Sequence, residues 1–257
     1  MGLFGKMFEK KICSVCGGEI KLLGNRKLED GNLCKECASK LSPFFSDRRR
    51  STVSDIKAQL EYREKNKDAV AAFITTAVFG RDTKVIVDEA NKKFMVTSAR
   101  NYAEANPDVI DFKDVLGVNI EISEETTEET YEDKEGNTRS YRPPRYYYTY
   151  DFEVHINVRN PYFDTMTVKL NSSSVELNPD RAVAADRKPD PQKHMEYREY
   201  KAMANDIKRL LTNAREEVKA EREAANAFRA PVVCKCCGAT TTPDINGCCE
   251  FCGGMAQ

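Results

Sequence analysis

The chain of 257 residues has no tryptophan, only two histidines (His155 and His194), and no cysteine between Cys37 and Cys234. No apolar run approaches the length of a membrane-spanning helix. The start, Met1 to Phe8, is too short and too quickly charged for a secretory signal, and Lys6 stands where myristoylation would want Ser or Thr. Motifs are missing too: there is no Gly-rich phosphate loop with lysine, no Gly-x-Ser-x-Gly and no His-Glu-x-x-His. His155 falls on the polar phase of an alternating segment, where a lone histidine reads as a surface residue. These absences point away from catalysis, and the expectation is a non-enzymatic protein. With a net charge of −1 and no export signal in view, the expected place is the cytoplasm.

Against that background stand ten cysteines, all near the two ends. They read as two sets of paired Cys-x-x-Cys: Cys13/Cys16 with Cys34/Cys37, and Cys234/Cys237 with Cys249/Cys252. A disulfide framework suits small exported domains and is disfavoured here. Four thiolates delivered as two short pairs suit a closed tetrahedral ion, so two structural Zn²⁺ sites are expected, with iron fitting the same ligands. Gly17, Gly238 and Gly253 each follow a second-position cysteine, where a left-handed backbone turns amide N–H groups toward sulfur. Those glycines set the C-terminal register, which leaves Cys236 and Cys248 over, as bystanders, as a redox pair or as alternative ligands. Each end has too few apolar residues to fold unaided.

In the first unit, Glu19–Leu23 and Arg26–Glu29 read as two short strands about a Gly24-Asn25 turn. Asp30-Gly31 then leads back to Cys34 and a single helical turn. Ser51 or Thr52 caps a helix to about Lys67, with Ile56 and Leu60 on one side. The cysteine-free middle is strand-rich: Phe73–Phe79, a hairpin of Lys84–Val87 and Lys93–Thr97, then Val109–Phe112, Gly117–Ile122, Tyr150–Val158 and Thr165–Leu170. Between Glu121 and Tyr150 an acidic arm (Glu124 to Glu135) faces a basic, aromatic one with Arg139, Tyr141, Arg142, Arg145 and Tyr146–Tyr148. That pattern suggests a long hairpin, broken at Pro143-Pro144. A Pro- and Asp-rich stretch precedes a long helix striped with Tyr200, Met203, Ile207, Leu210/Leu211, Ala214 and Val218.

The phrase Ile110-Asp-Phe-Lys-Asp-Val-Leu-Gly-Val118, after a hairpin and before more strands and a C-terminal helix, resembles bacterial pleckstrin-homology-like domains. The Cys13–Cys37 unit, with its Gly-Asn-Arg-Lys-Leu-Glu-Asp-Gly-Asn-Leu interior, resembles a bacterial zinc-ribbon family of unknown function, and the C-terminal ribbon a generic type. The resemblance implies an α+β fold: a PH-like antiparallel β-barrel with a long C-terminal helix, flanked by two small zinc ribbons. It implies no catalytic mechanism. The expected division is an N-terminal ribbon at 1–45, a linking helix at 46–70, a PH-like β domain at 71–177, a linker at 178–193, a helix at 194–229 and a second ribbon at 230–257.

The leading functional expectation is an adaptor or scaffold for a protein partner, with self-association open. Three others compete. Leu3, Phe4, Met7 and Phe8 with Lys6, Lys10 and Lys11 could anchor the chain at a membrane surface. Arg48-Arg49-Arg50 beside Phe44 and Phe45 could bind nucleic acid, a less favoured partner. Surplus thiols could sense redox state or metal.

Overall fold

The structure, a computed structural model, describes residues 11–227, 231–244 and 246–256, so the Leu3–Phe8 segment lies outside the described residues. The chain divides into two compact units between Thr212 and Asn213.

The first unit opens with two small hairpins. Strand β1 (Lys11–Ile12) pairs antiparallel with β2 (Glu19–Ile20), and β3 (Arg26–Lys27) with β4 (Asn32–Leu33), followed by helix α1 (Lys35–Ala38). The sequence suggested pairing Glu19–Leu23 with Arg26–Glu29. Instead a tight turn, closed by the Gly24 N–H on the Lys21 carbonyl at 2.9 Å, carries Leu22 and Leu23 away from any ladder. The apolar cluster beneath is small: Ile20, Leu28, Leu33 and Leu41 with Cys13 and Cys37, completed by Ile56 from the next helix.

That helix, α2 (Val53–Ala71), starts at a capping box. Thr52 accepts from the Asp55 N–H, and the Asp55 carboxylate accepts from the Thr52 N–H. The Asp30 carboxylate also accepts the Val53 N–H at 2.7 Å, tying the cysteine-bearing segment to the helix start. The buried face of α2 runs Ile56, Gln59, Arg63, Asn66, Val70, so three of its five members are polar. Arg63 donates to the Asp108 carboxylate at 2.8 Å and to the carbonyls of Asn106 and Lys40. The second Asp108 oxygen accepts from the Ser42 hydroxyl at 2.7 Å. Asn66 bonds Asn106, the Pro107 carbonyl and the Val109 N–H. This network crosses the expected 45/46 boundary and joins the cysteine-bearing end to the middle of the chain.

Strands β5 (Ala77–Phe79), β6 (Lys84–Asp88) and β7 (Lys93–Thr97) follow, then the single turn α3 (Tyr102–Ala105) and β8 (Val109–Asp111). They form an antiparallel sheet in the order β5-β6-β7-β8. Of the expected Phe73–Phe79 strand only Ala77–Phe79 is extended in the sheet; Phe73 instead packs under it with Ile86 and Met95. The register places Val85, Val87, Phe94, Val96 and Ile110 on the opposite face, and all are buried. Burial on both faces explains why these strands read as continuous apolar runs.

A second sheet is organised by β10. Strand β9 (Val115–Glu132) runs along one edge of β10 (Thr138–Val158), while β11 (Thr165–Lys169), β12 (Val175–Glu176) and β13 (Val183–Ala184) pair in succession along the other. Tyr148, Tyr150, Phe152, Val154, Ile156 and Val158 form its buried face. The expected barrel does not close: the strands fall into two separate sheets, and among the described strands β9 pairs with β10 alone. The 3₁₀ turn Phe112–Asp114 ends the β8 ladder. At 18 and 21 residues, β9 and β10 also overrun every other strand, so their far ends have nothing to close against. Residues 178–193 contribute β13, and Asn178 accepts the Tyr148 N–H.

Helix α4 (Met195–Ala227) begins on this second sheet. Tyr197 meets Tyr150 and Phe152 edge-on with centroids 5.0 and 5.1 Å away, and Tyr200 stacks on Phe152 at 5.7 Å. Tyr197, Tyr200, Ala204, Ile207 and Leu211 recur every three or four residues and are buried. The stripe thus runs through Ala204, with Met203 only half-buried. In the second unit β14 (Val232–Val233) pairs with β15 (Thr240–Thr241). Among the described residues no helix is long and apolar enough to cross a membrane.

The tyrosine run Tyr146–Tyr148 lies at the base of the β9–β10 hairpin. Tyr148 is buried with the Lys188 ammonium 4.9 Å from its ring centre, while Tyr147 is half-buried. Replacing Tyr148 with Ser should therefore cost about 3 kcal/mol in urea unfolding, and Tyr147→Ser about 1 kcal/mol or less. Equal costs for the two changes would contradict this placement.

Candidate metal centres

Both sets of four cysteines come together as expected. Within each, the four sulfurs lie within 4.8 Å of one another: Cys13, Cys16, Cys34 and Cys37 at one end, Cys234, Cys237, Cys249 and Cys252 at the other. Cys16 and Cys34 sulfurs are 3.8 Å apart; Cys234–Cys252 and Cys237–Cys249 are each 3.7 Å apart. A tetrahedron with ~2.3 Å metal–sulfur bonds has edges of about 3.8 Å, so the spacing suits one ion coordinated by four sulfurs. All ten cysteines are free thiols.

Three of the four pairs sit on the same kind of turn. Cys13 N–H donates to the Gly18 carbonyl at 2.9 Å, and Gly17 N–H returns to the Cys13 carbonyl at 2.8 Å. Cys234 with Ala239 and Gly238 repeats this, as does Cys249 with Gly254 and Gly253. Gly17, Gly238 and Gly253 have φ of 73°, 74° and 70°, which fits the role expected of the glycine after each pair. The fourth pair is built differently. Cys34 is the N-cap of α1, and its sulfur accepts from the Cys37 N–H at 3.3 Å. The first centre therefore joins a knuckle to a helix start, whereas the second joins two knuckles.

Backbone donors set the charge on the sulfurs. Burial resists ionisation of Cys13, but N–H groups of Cys16, Cys34 and Val15 outweigh it and bring that thiol down to about 6. Cys249 is likewise opposed by burial yet brought down to about 6 by the Cys252 and Phe251 N–H groups and the Thr241 hydroxyl. Cys234 is lowered, first by the Cys237 N–H. Their neighbours move the other way. Burial and then the sulfurs of Cys34, Cys16 and Cys13 raise Cys37. At Cys252 the Gly254 N–H favours the thiolate, but the surrounding sulfurs still push the group up to about 12. Four thiolates this close need a cation among them, which a divalent ion supplies.

Cys236 and Cys248 stand outside the cluster. Cys236 is exposed with its sulfur 3.6 Å from the Met255 carbonyl, and Cys248 forms a β-bridge with Met255. Thr241 is a supporting residue the sequence did not single out; it is buried and touches the second centre through its hydroxyl. Its place in a Thr-Thr-Thr run hid which of the three faces inward. His155 bonds Thr167 and Glu121 on the sheet surface, each at 3.1 Å, away from either centre.

No curated protein and no solved structure matches the chain. Residues 11–59, spanning the first centre, both hairpins and the first turns of α2, match the family described as Domain of unknown function (DUF4428).

Proposed function

We propose that this protein is a non-enzymatic zinc-binding adaptor, with two structural metal centres and a recognition arm projecting from a PH-like middle. Closed four-sulfur coordination supports the structural role, because it leaves no position for water or substrate. The PH-like reading is supported by element order: a four-stranded antiparallel meander, the meander β9–β10–β11, then a helix packed on the second sheet.

The observation that carries the adaptor reading is the hairpin. Beyond Arg145, among the described strands, only β9 and β10 pair with each other, and their ladder slips between Ser140 and Arg145, where Pro143-Pro144 lie. The tip is organised rather than loose. Tyr131 and Tyr141 rings are 5.0 Å apart, Arg145 lies 4.2 Å from the Tyr141 ring, and Asp133 takes Arg139 at 2.9 Å. An ordered, exposed cluster of Tyr and Arg resembles an interface anchor. The triple change Tyr131→Ser/Tyr141→Ser/Arg145→Gln should leave metal content intact and melting within about 2 °C of wild type. Partner capture from the native cell, or self-association in sedimentation, should be lost. Unchanged capture and unchanged association would remove the arm from the proposal.

The nucleic-acid reading loses its stacking platform. Phe44 packs on Phe163 at 5.5 Å and Phe45 on the N-terminal apolar cluster, so neither is free to stack on a base.

A further inference from the structure

The turn between β2 and β3 carries Leu22 and Leu23, which are 84% and 91% exposed. Leu23 has φ 63°, a left-handed value that bulky side chains avoid. Of the two central residues of this turn only Leu23 has positive φ, the type II pattern in which the third position favours glycine. Here the chain accepts backbone strain and leucine hydration together, with neither leucine in an apolar cluster of the described residues. Strain held in such a place points to function rather than stability.

Beside the turn lies a basic cleft. Its volume is about 730 Å³, and its lining includes Arg26, Lys27, Arg48 and Arg49 against one carboxylate, Glu29. Among the described residues none of these four cations is ion-paired. Arg48 is held by the Lys27 carbonyl at 2.9 Å, and burial, then Arg26 and Arg49 nearby, lower its affinity for its proton. Arg26 links the two features: its guanidinium donates to the Leu23 carbonyl at 3.3 Å, and it also lines the neighbouring hollow with Leu22, Leu23, Lys21 and Lys35, where Glu19 and Glu36 are the acidic members.

We infer that this face of the N-terminal module docks on an anionic lipid surface. The two leucines enter the acyl boundary while Arg26, Lys27, Arg48 and Arg49 meet headgroup phosphates. An apolar tip ringed by unpaired cations is the arrangement an anionic interface rewards, since apolar burial and phosphate attraction act at one depth. Each basic residue near such a surface contributes on the order of fivefold in partitioning. A nucleic acid would leave the leucines in water and, among the described residues that line the cleft and the hollow, find no aromatic ring. The face also borders the first centre, because Cys16 and Cys34 line the same hollow as the leucines, so docking should require bound metal.

The test uses the full zinc-loaded chain and co-sedimentation with phosphatidylcholine vesicles, with and without phosphatidylglycerol. Binding is expected only with phosphatidylglycerol, weakening as salt rises. Leu22→Ser/Leu23→Gly should reduce it more than about tenfold, with metal content kept and melting unchanged or higher, since Gly relieves the turn. Lys27→Gln/Arg49→Gln should reduce it by about tenfold or more. Failure of the wild type to bind would overturn the inference. So would full binding by the leucine variant with loss only on deleting residues 1–9, or tighter binding to random RNA or polyphosphate than to the vesicles. None of these outcomes bears on the hairpin arm, which is tested separately.

Discussion

Stripping metal from the reduced protein is expected to unfold the C-terminal centre outright and to weaken the first unit without destroying it. The C-terminal cluster has almost no core: Cys234, Cys249 and Ala256 are buried, with Val232 packed against them. Structural zinc contributes an apparent 10–16 kcal/mol, on the order seen in zinc-finger peptides, which far exceeds what these side chains supply. The N-terminal centre has more apolar support through Leu28, Leu33 and Ile56, and its loss reaches further. Ser42 follows α1 and bonds the buried Asp108, so melting the module removes a partner from a buried carboxylate. Such a hydrogen bond is worth about 1.5–3 kcal/mol, or roughly 3–12 °C of melting temperature in a unit of this size. Cys37→Ser should therefore remove one zinc and lower the main transition by that amount, whereas Cys249→Ser should remove one zinc and leave it in place. Elemental analysis and calorimetry read both quantities. Fewer than two ions in the wild type, or an unmoved main transition in Cys37→Ser, would count against this account; iron in place of zinc would change the metal but not the geometry.

The metal centres were legible because thiolate spacing is a local constraint: two cysteines three residues apart and a following glycine leave few backbone solutions. The long hairpin was legible for a similar reason, since its alternation and its Pro143-Pro144 interruption act within a strand. Closure of the sheet was not. Whether β9 finds a second neighbour depends on strand lengths and on the turn at Phe112–Asp114, which alternation alone does not encode. The role of Tyr148 was hidden because three successive tyrosines have the same composition on both faces, and only register assigns Tyr148 to the core. Helix α2 was legible in part: its Thr52 cap and the packing of Ile56 and Leu60 on the N-terminal cluster follow the sequence. A search for apolar periodicity finds Ile56 and Leu60, yet the buried face continues through Gln59, Arg63 and Asn66; Arg63 reaches Asp108 and Asn66 reaches Val109, each more than forty residues away in sequence.

That buried polar face supports the second large effect. Arg63 and Asp108 form an ion pair at 2.8 Å with side chains 6% and 0% exposed. Arg63 also donates to the Asn106 and Lys40 carbonyls, and Asp108 also accepts from Ser42. Asp108→Ala leaves a guanidinium buried without its counter-charge and a Ser42 hydroxyl without its acceptor. The expected cost is about 3–5 kcal/mol, among the largest for any single change in this chain. Arg63→Met should cost a similar amount, because it strands the carboxylate. The double change Arg63→Met/Asp108→Leu removes both charges together and should be less destabilised than either single change, since replacing a buried pair with apolar groups avoids desolvating unpaired ions. Urea unfolding of the zinc-loaded proteins measures all three. If the single changes cost less than about 1 kcal/mol, or if their effects simply add, the pair is not coupled and the joint between metal module and sheets must lie elsewhere. Coupling would instead make Arg63 and Asp108 the link through which the first metal centre influences the stability of the sheets, because Lys40 and Ser42, which they hold, directly follow the helix that carries Cys37.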